Sequence, residues 1–264
     1  MQEVREMARQ LRAIGDLQRR LLPREVPQPT GWRLAAHYVV GRWPGGDYYD
    51  FITLPDGRLL LLVADASDEG AASSALVAMT RVVLHSCPLS SGVEQLPFCP
   101  LRDPVIQPPH ILLGHLNRVL GDNSLEEQFM TAFCGVLDPI DGFLHYTNAG
   151  HPSPRWWRAT ERAIEPLREA SGLPLGMERN VSYHHKRIEI GRGDILVLYS
   201  DGLTAALNGE GQWFGCDRLD DAIHQNAREG AAAVKGAVMA SLEEFLDGED
   251  PADDVTLLVI ERMR

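Results

Sequence analysis

DYYDFITLPDGRLLLLVADA, residues 47–66, reads as two short strands joined by a tight turn. The first half is rich in aromatic and β-branched residues, and the second runs apolar for too few residues to make a helix of ordinary length. Between them Asp56-Gly57 accepts the positive φ angles that a hairpin turn demands. The same grammar recurs downstream, where QFMTAFCGVLD (128–138) and GFLHYTNAGH (142–151) meet at Asp141-Gly142. WRLAAHYVV (32–40), RWWRA (155–159), KRIEI (186–190), DILVLYS (194–200) and VTLLVIE (255–261) supply further strands. Helical periodicity is confined to a few stretches. Residues 71–86 place Leu76, Met79, Val83 and Ala72 on one face, a second helix is expected near 110–121, and two more between Asp217 and Leu246. Many hairpins with segregated helices predict an α+β domain built on antiparallel sheets, without a βαβ series.

A chain of 264 residues with 44% apolar content buries a full core without disulfides. Its 37 acidic and 25 basic residues give a formal charge of −12, which argues against nucleic acid or an anionic membrane as the main partner and suits a protein that collects divalent cations. The four cysteines show no CxxC spacing, so neither a zinc site nor a disulfide framework is indicated. The opening MQEVREMARQ lacks a signal-peptide core, and no apolar run approaches the roughly 20 residues that span a bilayer, so a cytoplasmic protein is expected. Val4, Met7, Leu11, Ile14 and Leu21 form a heptad-like seam interrupted by Gln18. Such a seam either packs on its own domain or pairs two chains into a homodimer. The prolines of PREVPQPTG (23–31) end the helix, which divides the chain into an N-terminal helix and linker over 1–31 and a larger globular domain over 32–264.

The chemistry is carried by aspartates at strand edges: Asp47 in GGDYYDF, Asp65 ending RLLLLVAD, Asp201 in VLYSDGL, and Asp253 with Asp254 before VTLLVIE. Carboxylate oxygens suit hard cations such as magnesium and manganese, and two such ions together can polarise a phosphoryl group and activate a water. For any single aspartate a turn or cap role is the commoner explanation. The inference rests on the set.

Taken in order, GGDYYDF, LLVADAS, FCGVLDPIDGFLHYTNAGHP, GLPLGM, GDILVLYSDGLTAALN, GQWFG and DDVTLLVIE resemble the SpoIIE-type branch of the PPM, metal-dependent serine/threonine protein phosphatases, over about residues 20–262. The resemblance implies an antiparallel β-sandwich flanked by helices. It implies that Asp65, Asp201 and Asp253 ligate metal, with the Ala66 carbonyl adding a ligand, Asp47 acting through water or in support, and Asp254 as a further candidate. Two divalent ions, Mn2+ or Mg2+, would be the cofactors. The substrate would be a phosphoserine or phosphothreonine on a regulatory protein, in such families often an anti-sigma-factor antagonist.

The chain departs from that pattern at Asp68, where relatives carry glycine, at Pro44 before GGD, and at Ala205, where a glutamate is common. Asp68-Glu69 favours a rival reading, a phosphatase-fold binding module with weakened catalysis that regulates its partner by docking. His151 is either a proton carrier or a hydrogen-bonded structural residue, with the second favoured. Arg42 could meet a substrate phosphate or simply be solvated. His184 and His185, read as neighbours in a strand, should face opposite sides. GEGQWFG (209–215) lacks a phosphate-loop context and is read as a turn.

Overall fold

The computed structural model describes residues 14–16, 18–41, 45–67, 70–86, 108–123 and 128–264. Two sheets face each other. One has the spatial order β1 (Trp32–Val39), β11 (Val255–Arg262), β10 (Ile195–Tyr199), β6 (Arg155–Arg158), β7 (Ala163–Pro166). The other runs β2 (Tyr48–Thr53), β3 (Leu59–Ala66), β4 (Met130–Leu137), β5 (Phe143–Ala149), β8 (Ser171–Gly172), with β9 (Lys186–Glu189) also paired to β5. Every pairing is antiparallel except β5 with β8. Helices α1 (Ala71–Ser86) and α2 (Pro109–Asn123) pack on the second sheet, and α4 (Gly215–Asn226) and α5 (Ala231–Leu246) on the first. A four-residue helix, α3 (Asp201–Thr204), follows β10 directly.

The continuous apolar runs have a simple cause: the inner strands are covered on both faces. In β10 and β11, Leu196, Leu198, Leu258 and Ile260 join the core between the sheets. Ile195, Val197, Tyr199, Leu257 and Val259 point the other way and pack with Ile223, Val234, Val238 and Leu242 of the helices. Strand alternation therefore splits one run into two cores. The hairpin at 54–58 forms as expected with Thr53 opposite Leu59, although of Asp56-Gly57 only Gly57 takes a positive φ, +87°.

Several details differ from the sequence reading. The face that α1 buries is centred on Ser73, Leu76, Val77, Thr80, Val83 and Leu84, leaving Ala72 and Met79 half-buried. The Ser73 and Ser74 hydroxyls both donate to the Gly70 carbonyl, which lets two small polar residues lie inward without loss. His184 and His185 precede β9 rather than lying in it, so strand alternation does not separate them; His185 stacks on His110 at 4.5 Å between ring centroids. Strands β7 and β8 and helix α3 are too short to leave a periodic signal. Val4, Met7, Leu11, Arg42, Pro44, Asp68 and Glu69 lie outside the described residues.

Near the start of the described chain, residues 14–16 and 18–21 are helical. Gln18, which breaks the apolar seam, is buried at 1% exposure, and Leu22 joins the core between the sheets. Leu258 is fully buried in that core, so Leu258→Ala should destabilise the protein by about 2–5 kcal/mol. Urea unfolding followed by circular dichroism checks this, and a loss well under 1 kcal/mol would contradict the packing.

Candidate active site

All the aspartates singled out in the sequence fall at one end of the sandwich. Asp47 immediately precedes β2, Asp65 is the penultimate residue of β3, Asp201 opens α3 at the end of β10, and Asp253 and Asp254 lead into β11. Antiparallel pairing brings these ends together. Tyr199 of β10 is in register with Leu257 of β11, and Val39 of β1 with Val255. The two sheets are tied at this point by a hydrogen bond from Thr256 Oγ1 to Asp47 Oδ2 at 2.6 Å, with the Ser200 side chain also bonded to Asp47.

Close approach explains the glycines of the flanking motifs. A Cβ on Gly46 would lie 2.5 Å from the Ala66 Cβ, and one on Gly202 would lie 2.0 Å from the Asp254 carbonyl oxygen. Hence GGD lets the approach to β2 lie against the end of β3, where Ala66 N–H donates to the Gly46 carbonyl, and SDG lets α3 press on the turn before β11.

The carboxylates occupy different environments. Asp254 is buried and both its oxygens are engaged, Oδ2 by the Tyr38 hydroxyl at 2.8 Å and Oδ1 by the Gly41 N–H at 2.9 Å. Asp253 Oδ1 accepts the Asp254 N–H at 2.7 Å. Burial pushes the Asp65 carboxyl up to about 8, with the charges of Asp201 and Asp253 adding to it. Burial, then Asp65, holds Asp47 well above the usual carboxylate range, against the opposing hydrogen bonds from Ser200 and Thr256. Asp253 and Asp254 are raised as well, burial again being the main cause. Among the described residues no lysine, arginine or histidine forms an ion pair with any of these five.

An uncompensated, all-oxygen acidic cluster is a donor set that fits a hard divalent cation. Among the described residues no group of three or more His, Cys, Asp or Glu side chains forms a ready cation shell. The two observations are compatible, because an ion of the magnesium kind keeps several waters and needs only one or two protein carboxylates.

Two neighbours of the cluster have structural roles. His151 is buried, its Nδ1 lies 2.8 Å from the Thr131 hydroxyl, and its backbone N–H donates to Asn148. Burial pushes its imidazole down to about 3, so near pH 7 it is neutral, with a single ring N–H. Asp50, which sequence reasoning passed over within GGDYYDF, is a buried hub. It accepts from the Tyr48 hydroxyl and the Phe51 N–H, lies 2.6 Å from His85 Nε2, and pairs with Arg81 at 3.5 Å. Arg81 in turn donates to the Leu21 carbonyl at 2.6 Å, and Gln18 donates to the carbonyl of Gly45, two residues before Asp47. The helical segment ahead of the linker is thereby tied to the edge of the cluster.

The family model for stage II sporulation protein E (SpoIIE) matches residues 55–263. The chain belongs to the SpoIIE family. It is 26% identical over 259 residues to protein IcfG of Synechocystis sp. (strain ATCC 27184 / PCC 6803 / Kazusa), a match covering 93% of this chain and 40% of IcfG. It is 25% identical over 257 residues to phosphoserine phosphatase RsbU of Bacillus subtilis (strain 168), covering 97% of this chain and 71% of RsbU. Among solved structures, the SiaA-PP2C domain of Pseudomonas aeruginosa superposes with a TM-score of 0.76 at 20% identity and covers 98% of both chains. A Mycobacterium tuberculosis structure of RsbU and RsbW domains gives a TM-score of 0.71 at 25% identity, covering 92% of this chain and 63% of that one. The SpoIIE-family fold is thus the PP2C-type sandwich that the resemblance implied.

Two outcomes follow from this geometry. Gly202→Ala should lower stability and disturb the Asp253-Asp254 turn, seen as a reduced thermal midpoint, whereas Gly209→Ala, at an open position, should leave it unchanged. In chelator, the raised Asp65 favours its protonated form in the fold, so its stabilising contribution is full below about 4 and is lost as pH rises through about 8. The thermal midpoint in chelator should therefore fall between pH 7 and pH 8.5, and Asp65→Asn should flatten that fall.

Proposed function

We propose that this chain is a metal-dependent protein serine/threonine phosphatase, removing phosphate from a phosphoserine or phosphothreonine of a regulatory protein. The observation that carries the reading is the convergence of Asp47, Asp65, Asp201, Asp253 and Asp254 at one end of the sandwich, Asp47 and Asp254 buried, Asp65 half-buried and Asp201 and Asp253 open to solvent, with no cationic side chain paired to them among the described residues. Asp65, Asp201 and Asp253, with the Ala66 carbonyl, would hold Mn2+ or Mg2+. When bound, two such ions supply Lewis acidity toward a phosphoryl oxygen and lower the pKa of a water, so no protein nucleophile is needed.

The rest of the site positions these groups. Thr256 fixes Asp47 across the two sheets, in a supporting place one step back from the ligands. With both oxygens engaged by Tyr38 and Gly41, Asp254 anchors the segment after β1 against the turn before β11, which favours a supporting role over that of a direct ligand. Neutral His151 orients the start of β4 through Thr131.

The names of RsbU and RsbP, both phosphoserine phosphatases of Bacillus subtilis, support a phosphoprotein substrate, and an anti-sigma-factor antagonist is the partner class we favour. No helix among the described residues is long and apolar enough to cross a membrane, which agrees with a cytoplasmic setting. We also infer that the seam of Val4, Met7, Leu11 and Ile14 pairs two chains, while Gln18 and Leu22 face the domain of their own.

Manganese-dependent hydrolysis of p-nitrophenyl phosphate tests the reading. Asp201→Asn and Asp65→Asn should each lose at least about 100-fold in turnover with unchanged circular dichroism. Wild-type rates in both variants at saturating manganese would overturn the assignment, and a wild type that binds manganese without turnover would favour the binding-module alternative.

A further inference from the structure

The segment after α3 presents a large apolar surface for which the fold itself has no use. Trp213 is 61% exposed and Leu207 48%, and the two face each other across an isolated antiparallel bridge that closes the turn NGEGQ. This turn is braced. Asn208 Oδ1 accepts the N–H groups of Glu210 and Gln212, Phe214 N–H donates to the Ala206 carbonyl, and Arg218 donates to the carbonyls of Trp213 and Phe214. Phe214, next in sequence, is fully buried. The tryptophan is therefore held outward by a rigid mount, and that mount is joined to Asp201 through the single helical turn of α3.

A second exposed apolar stretch leaves the other sheet at the same end. Met177 is 52% exposed and Leu173 42%, and they flank Leu175, whose backbone pairs with Met130. Met130 is in turn the register partner of Ala66 at the end of β3. Four of the seven large exposed apolar side chains among the described residues thus belong to two segments, one that follows Asp201 and one that follows β8 and is bridged to the start of β4 beside the end of β3.

We propose that Trp213 and Leu207, together with Met177 of the second segment, form an apolar rim that seats the residues flanking the phosphorylated side chain of a protein substrate, so that Trp213 determines specificity. The inference rests on the phosphatase reading above. A rigid, exposed tryptophan offers contact area at little cost in conformational entropy, and tryptophan and methionine are enriched where proteins bind one another. Continuity with the cluster selects the occupant: one segment follows Asp201 by a single helical turn and the other is bridged to the residue opposite Ala66, so both border the end of the sheets where a phosphoserine would be presented. In a chain of net charge −12 an apolar rim also gives an acidic phosphoprotein a contact that does not depend on charge.

The test compares two phosphoserine peptides, one with leucine and phenylalanine flanking the phosphoserine and one with glycine in those places, alongside p-nitrophenyl phosphate. The wild type should favour the apolar peptide in kcat/KM, and Trp213→Ala should reduce that preference by about tenfold through KM, leaving p-nitrophenyl phosphate turnover unchanged. Leu207→Ser, which cannot disturb the tryptophan's mount through bulk, should act in the same direction. A wild type that treats the two peptides alike, cleaving both equally or neither, while hydrolysing p-nitrophenyl phosphate would overturn the rim and leave the phosphatase reading intact. Absence of manganese-dependent turnover of any substrate would overturn both. A lower particle mass for Trp213→Ala in light scattering would assign the tryptophan to a contact between copies and likewise overturn the substrate role.

Discussion

Carboxylates held close together repel, and in this fold the buried Asp47 and Asp254 and the more open Asp65, Asp201 and Asp253 are gathered at one end of a sandwich with no cationic side chain among the described residues paired to them. Such a cluster persists only if the rest of the structure over-determines it. Here the surrounding structure does so in layers. Two sheets with fully covered inner strands fix the strand ends, glycines at 46 and 202 allow backbone to close on backbone, and Thr256, Tyr38 and Gly41 hold individual carboxylates in place. A divalent cation is the component that would turn this repulsion into cohesion, which links the stability of the site to its proposed chemistry.

The strand framework was readable from sequence because its inner strands are apolar on both faces. Runs such as LLLLV and ILVLY leave little ambiguity when Asp-Gly turns bound them. Helix α1 was readable as a helix, yet its buried face was misjudged, because Ser73 and Thr80 lie inward with hydroxyl partners of their own. Period alone does not reveal a satisfied polar residue. The segment at His184-His185 failed for a related reason: an edge strand of four residues has ends that periodicity cannot locate.

At the site, the aspartates could be singled out because each stands at a strand edge in a distinctive context, and the structure brings those edges to one place. Their division of labour could not be read. That Asp254 spends both oxygens on Tyr38 and Gly41 depends on a residue 216 positions away in the chain. The hub at Asp50 was invisible for the same reason, since His85 and Arg81 reach it from α1. Gln18 looked like a flaw in an apolar seam, and its burial against Gly45 gives the interruption a physical cause.

The central claim is that the aspartate cluster is completed by a divalent cation. It is tested most directly by the thermal midpoint of the full chain at pH 7.5, in chelator and across a manganese titration, for the wild type and Asp201→Asn. A ligand that binds only the folded state stabilises it in proportion to the logarithm of its concentration above the dissociation constant. The account predicts a midpoint that climbs with manganese in the wild type and stays nearly flat in Asp201→Asn. Equal wild-type midpoints in chelator and in saturating manganese would contradict it.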